Sequence, residues 1–453
     1  MELGLFVFLF GLLLLAYRLF DFDFLAPAVL YIAGFVACAF VVVLFADAWS
    51  FSMHSNTFFV ISFGAVWFVF CALFVHSVCS AKLAVGAAGR AAPVMKPRRV
   101  LRLFDAPVPY SQAVIWVIIA LQIGVIILSA LKVCSLFPET DLISAIAGFR
   151  QSRTFDAEKL SWGFPLSPLR NFCYAIGYLI VILTAQSIHR NELCNRKLLV
   201  LSLALAIVLE MESGSRTNAV GYLLALFLLV LLQKRQEKKS GSLLSIRQVL
   251  GASIILVVFL AVFQSMAIGR SVNRGVVEYV SVYCGAQIPN LDAFLDGSLG
   301  EPAASSNLFG SMTFVRIINY LGTQLGVTEW VYELDLPFHF QNGMSLGNVY
   351  TTYYAFIYDF GYAGVGIFVS IMAVVSQLVY ETAKKNPRSF FSPFLYSYLS
   401  YKLVLCFFSN KFFEAVASPT LVRLILYLIV AVILYRWLCK HASERKGRLK
   451  GIR

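Results

Sequence analysis

Apolar residues arrive in this chain as long unbroken runs. They do not alternate as in a half-buried strand, nor form the stripe of an amphipathic surface helix. The runs cover 3–19, 26–46, 57–79, 112–134, 170–187, 198–214, 217–233, 248–268, 349–381, 390–408 and 419–438. A helix needs ~20 apolar residues to cross ~30 Å of hydrocarbon, so each run predicts a membrane span. The expected fold is all-α: a polytopic bundle of about eleven transmembrane helices (10–12), one membrane domain over 1–453. The run 349–381 is longer than a span requires, which implies tilt or a start outside the membrane. Two polar stretches, 135–169 and 269–348, are long enough to form sizeable loops.

Composition removes the soluble alternative. Of 453 residues, 59% are hydrophobic and 13% charged, too few to clothe a globule of this size in polar groups. A net charge of +13 would point to nucleic acid in a soluble protein. Here the basic residues gather in short loops, and no nucleic-acid partner is expected. Lys82, Arg90, Lys96, Arg98, Arg99 and Arg102 lie in 80–111 against Asp105 alone. Lys234, Arg235, Lys238, Lys239 and Arg247 oppose Glu237, and Lys384, Lys385 and Arg388 and the tail from Arg436 are also basic. The positive-inside rule puts all four groups in the cytoplasm. The N-terminus is then outside, the C-terminus inside, and both 135–169 and 269–348 face outward. No basic residue precedes Arg18, so the first run reads as an uncleaved helix rather than a secretory signal.

The nine cysteines are scattered without a CxxC pair, and there is no HExxH, no GxxxxGK[ST] and no GxGxxG after a strand. No metal site and no cofactor are expected.

The sharpest chemical feature is arginine on the outer side, where sorting normally removes it. Arg216 lies in ESGSRTN (212–218), Arg270 and Arg274 in GRSVNRG (269–275), and Arg150 and Arg153 in FRQSR (149–153). A guanidinium is a permanently charged planar fork of donors suited to phosphate. The plainer alternative is snorkelling toward lipid head groups. Arg216, Arg270 and Arg274 are taken as a pyrophosphate-binding catalytic set, and Arg150 and Arg153 as a second phosphate site. Glu210 and Glu212 are expected to pair with Arg216. His339, in the long outer stretch, is the candidate general base, with Asp335 and Asp359 as rivals and a structural role as its plainer alternative. The aromatics of that stretch suit sugar stacking or, more plainly, an interfacial belt.

Three segments together resemble the O-antigen or oligosaccharide repeat-unit polymerases (the Wzy family), relatives of the O-antigen ligases. They are SGSRTN (213–218), RSVNRGVVEYVSVYCGAQIPN (270–290) and GNVYTTYYAFIYDFGYAGVG (347–366). An Arg-x10-Gly spacing described for some members fits Arg274 and Gly285. The resemblance implies a metal-independent glycosyltransferase of the bacterial inner membrane. It would act at the periplasmic face on undecaprenyl-pyrophosphate-linked oligosaccharide, with membrane lipid around it and a chain-length regulator and a flippase as partners. Within the third segment it makes Asn348, Tyr350, Tyr354 and Asp359 substrate-binding residues. A ligase passing glycan to lipid A-core shares donor and architecture. A transporter or flippase is the rival of another class, but it should carry polar residues near the midplane, and most runs here are cleanly apolar.

Overall fold

The computed structural model describes residues 1–88, 109–138, 140–155, 160–190, 195–212, 216–237, 275–299, 308–386 and 389–450. The apolar run 248–268 lies outside them. The first eight helices are α1 (Glu2–Leu19), α2 (Pro27–Trp49), α3 (Ser55–Ala88), α4 (Gln112–Leu136), α5 (Leu142–Phe155), α6 (Leu166–Arg190), α7 (Arg196–Glu212) and α8 (Arg216–Glu237). Then come α9 (Val276–Gly285), α10 (Gln287–Leu295), α11 (Val315–Leu325), the strands β1 (His339–Gln341) and β2 (Met344–Gly347), and α12 (Thr352–Lys385). The last helices are α13 (Phe391–Val404), α14 (Lys411–Val416) and α15 (Pro419–Lys450). Among the described residues, eight helices are long and apolar enough to cross a membrane: α1, α2, α3, α4, α6, α8, α12 and α15. The protein is an all-α polytopic membrane bundle.

Besides 248–268, two expected spans are not among these eight. Helix α7 has 17 residues, as many as its apolar run. Helix α13 has 14, after which the chain passes through a 3-10 turn at Leu405–Phe407 into the short α14. Apolar composition persists through 405–408, so hydropathy alone does not reveal the turn.

The chain forms two compact units. The first draws on 1–98, 275–385 and 398–421. Helix α2 starts with Pro27 at its first position, where the missing N–H costs nothing, and stops at Ser50 in the left-handed region (φ 50°). Helices α3 and α12 pack closely. The Trp67 indole N–H donates to Ser370 Oγ at 2.7 Å, and a Cβ on Gly64 would sit 2.5 Å from the Tyr353 ring. The Tyr31 and Tyr353 hydroxyls meet at 2.8 Å in the interior. The strands form an antiparallel hairpin turned by Asn342 and Gly343, both at positive φ, as an Asn-Gly type I′ turn requires. Side chains at the turn reach back to the end of α2: Gln341 donates to Ser50 O and Asn342 to Ala48 O. Helix α12 is broken at Gly361 (φ 62°, ψ −165°).

Hydrogen bonds define two ends of this unit. At one, Glu2 accepts from Met53 N–H, so the start of α1 meets the approach to α3. The hairpin and the start of α12 lie at this end too. At the other, Glu381 accepts from Gln377 and pairs with His76 at 2.7 Å, and Tyr380 bonds Asp23.

The second unit draws on 99–274, 386–397 and 422–453. Gln122 of α4 and Ser202 of α7 exchange two hydrogen bonds, of 3.1 and 2.7 Å, so neither polar group is left bare in an apolar interface. Val125, Val133, Ala145, Phe149, Trp162 and Leu209 form part of its core.

Candidate functional site

At the hairpin end of the first unit, Asp292 lies on α10, almost fully buried, and accepts three hydrogen bonds. Its Oδ1 accepts from the His54 backbone N–H (2.9 Å) and from Thr57 Oγ1 (2.5 Å). Its Oδ2 lies 2.8 Å from His54 Nδ1. A carboxylate cannot donate, so Nδ1 carries the hydrogen and Nε2 turns away, 3.7 Å from Asp296 Oδ1. The hydrogen bond and negative charge of Asp292 raise the pKa of His54 above the ordinary imidazole value.

Two residues earlier on the same helix, Asn290 orients a second imidazole. Its amide nitrogen donates to the carbonyls of Leu346 (3.2 Å) and Val349 (2.9 Å). The amide oxygen must therefore face His339, whose Nδ1 lies 2.9 Å away. An amide oxygen only accepts, so His339 holds its hydrogen on Nδ1 and keeps the Nε2 lone pair free when neutral. Burial lowers the pKa of His339, with Asp292 acting in the opposite sense. One buried carboxylate thus lies within the field of two imidazoles whose proton affinities are pushed apart. Relative to an ordinary imidazole, the environment biases His54 toward the protonated form and His339 toward the neutral one.

The other residues expected from the sequence fall as follows. Asn348 sits half-buried in the bend between β2 and α12. Tyr350 and Tyr354 are buried and stacked on each other at 4.5 Å, with Phe294 edge-on to Tyr354. The Tyr350 hydroxyl donates to Pro337 O. Asp359 accepts from the backbone amides of Met312 (3.1 Å) and Thr313 (2.6 Å), so its carboxylate anchors a loop.

In the second unit Arg216 begins α8 and Arg150 sits half-buried on α5. Arg153 is also on α5, but the side chains of Arg153 and Arg216 lie outside the described residues, as do Arg270 and Arg274 altogether. Sequence reasoning passed over Arg170 of α6. It is buried, donates to Glu212 Oε2 (2.9 Å), Ser129 Oγ (2.6 Å) and Leu209 O, and lies 4.0 Å over the Trp162 ring. Glu212 pairs with Arg170, both charges being buried and each needing the other; the expected Arg216 partner has its side chain outside the described residues. Glu210 accepts from Asn218 at 2.7 Å. These bonds bring the ends of α4 and α7 and the start of α6 together, and α8 begins just beyond Glu212.

Sequence reasoning also passed over His54, which occupies a short connection with no motif around it. Its signal is three-dimensional: an imidazole held by a buried carboxylate that is distant in sequence. No family model, no curated protein and no solved structure matches the chain.

Proposed function

We propose that the chain is a glycosyltransferase that polymerises undecaprenyl-pyrophosphate-linked oligosaccharide repeat units into O-antigen or a related surface polysaccharide. It would work at the periplasmic face of the bacterial inner membrane, with its N-terminus periplasmic and its C-terminus cytoplasmic. The observation that carries the reading is His339, held through Nδ1 by the Asn290 amide oxygen at 2.9 Å. Transfer requires a base for the acceptor hydroxyl, and His339 keeps a free Nε2 lone pair. In the step, the acceptor O–H proton passes to Nε2 of His339 and the acceptor oxygen bonds the anomeric carbon. The bond from that carbon to the phosphate oxygen breaks, and its electron pair leaves with the lipid pyrophosphate. From the sequence and its resemblance alone, Arg216, Arg270 and Arg274 are proposed to bind pyrophosphate, since fixed cations stabilise developing phosphate charge. Arg150 and Arg153 are assigned to a second carrier phosphate.

The test is a gel of surface polysaccharide from a deletion strain, with and without complementation. Loss of the gene is expected to leave single repeat units on the finished lipid. Arg216→Ala and Arg274→Ala are expected to abolish long chains while the protein stays in the membrane, and Arg→Lys should not rescue them. Long chains left unattached on the carrier would identify a ligase. Normal chain lengths in both alanine variants would end the reading.

A further inference from the structure

A second polar centre, separate from the two imidazoles, lies where α13, α14 and the start of α11 meet. We propose that Arg316, Lys402 and Lys411, gathered around the single carboxylate of Glu414, form a binding site for a phosphate-bearing group, a diphosphate above all. Lys402, near the end of α13, is buried with its ammonium 4.6 Å from the Tyr401 ring centroid and 5.6 Å from that of Tyr398. No hydrogen bond or ion pair to that ammonium is found among the described residues. A buried cation with no direct ion pair and ring faces as its near neighbours retains much of its desolvation cost, and a further anion would offset it. Lys411 is partly exposed and pairs with Glu414 at 2.7 Å.

The backbone brings the third cation in. Asp359 holds the amides of Met312 and Thr313, and Asn410 donates to Thr313 O at 3.2 Å. Asn410 immediately precedes Lys411, and Arg316 lies one turn after Thr313. This stitching fixes the exposed Arg316 within electrostatic reach of both Lys402 and Glu414. Three basic side chains surround one carboxylate, so the local balance of charge is positive. Two ammonium groups and a forked guanidinium are what a diphosphate engages. The site stands on charge and geometry and does not require the glycan-transfer reading.

The test uses the full chain purified into phosphatidylcholine nanodiscs and titrated calorimetrically with inorganic pyrophosphate. Saturable binding is expected, weakened at least about tenfold by Arg316→Gln and by Lys411→Gln, both at accessible positions. Glu414→Gln removes the competing charge and should tighten binding about tenfold, an effect that mere structural damage would not produce. If the natural occupant is a lipid head group, pyrophosphate will not bind. Native mass spectrometry in nanodiscs containing phosphatidylglycerol will instead show retained anionic lipid that Arg316→Gln loses. Absence of both signals, or equal binding by wild type and Arg316→Gln, overturns the proposal.

Discussion

Exchanging one atom group at position 290 should change the proton affinity of His339. Asn290→Asp places a carboxylate where an amide oxygen now accepts from Nδ1, and a negative neighbour favours the protonated ring. The acid limb of the transfer activity should move to higher pH, which a pH–rate profile reads directly. An unmoved limb would remove His339 from the base role. His54 has the opposite bias. Its raised pKa means that its contribution to stability is complete below the ordinary imidazole value and is lost as pH rises through the folded-state value. The melting-temperature gap between wild type and His54→Asn should therefore be widest in mild acid and narrow as pH rises. A gap that grows with pH contradicts the dyad. Of these two histidines only His339 was legible beforehand, because it lies in an obviously polar stretch. His54 becomes notable only when folding brings residue 292 beside it, and no spacing rule connects positions 238 residues apart.

Helix-to-helix contacts in each unit rest on a few buried polar fittings. In the second unit Arg170 joins three helices through Ser129, Leu209 and Glu212. Removing one partner of such a pair leaves a bare charge inside, at a cost of about 3–5 kcal/mol. Arg170→Ala should thus lower the thermal stability of the purified protein strongly. Arg170→Met combined with Glu212→Leu should recover much of the loss, since neither charge is then left alone. A double variant as unstable as the single one would mean that the Ser129 and Leu209 bonds dominate. Apolar runs gave the positions of the long helices closely because lipid imposes a length. They could not give the end of α13, where the residues stay apolar but the chain turns, nor the hairpin, whose strands have only three and four residues. Partners are harder to read than boundaries: no spacing rule links Glu212 to Arg170, which comes from another helix and lies 42 residues away.

For the whole molecule, the loop charges predict one orientation, and labelling tests it. Single cysteines at Phe340 on the hairpin and at Lys385 after α12 should react with a membrane-impermeant maleimide from opposite sides, Phe340 in intact cells and Lys385 only after lysis. Same-sided labelling would undo the assigned topology. The first unit carries both positions, and its hydrogen bonds place the hairpin and Tyr380 at different ends. The general architecture was legible because membrane proteins write it in coarse hydropathy. The chemistry was partly hidden because its residues are few, polar and contributed by short elements.

The interruption at Gly361 settles an accounting of length. A continuous α12 of 34 residues would measure about 51 Å, far beyond the ~30 Å of a bilayer interior. From Tyr362 to Lys385 the remaining rod is about 36 Å, enough to traverse lipid at a modest slant. The opening turns, which hold Tyr354 and Asp359, are thereby released from crossing duty and serve as a bracket to which the neighbouring loop is fastened.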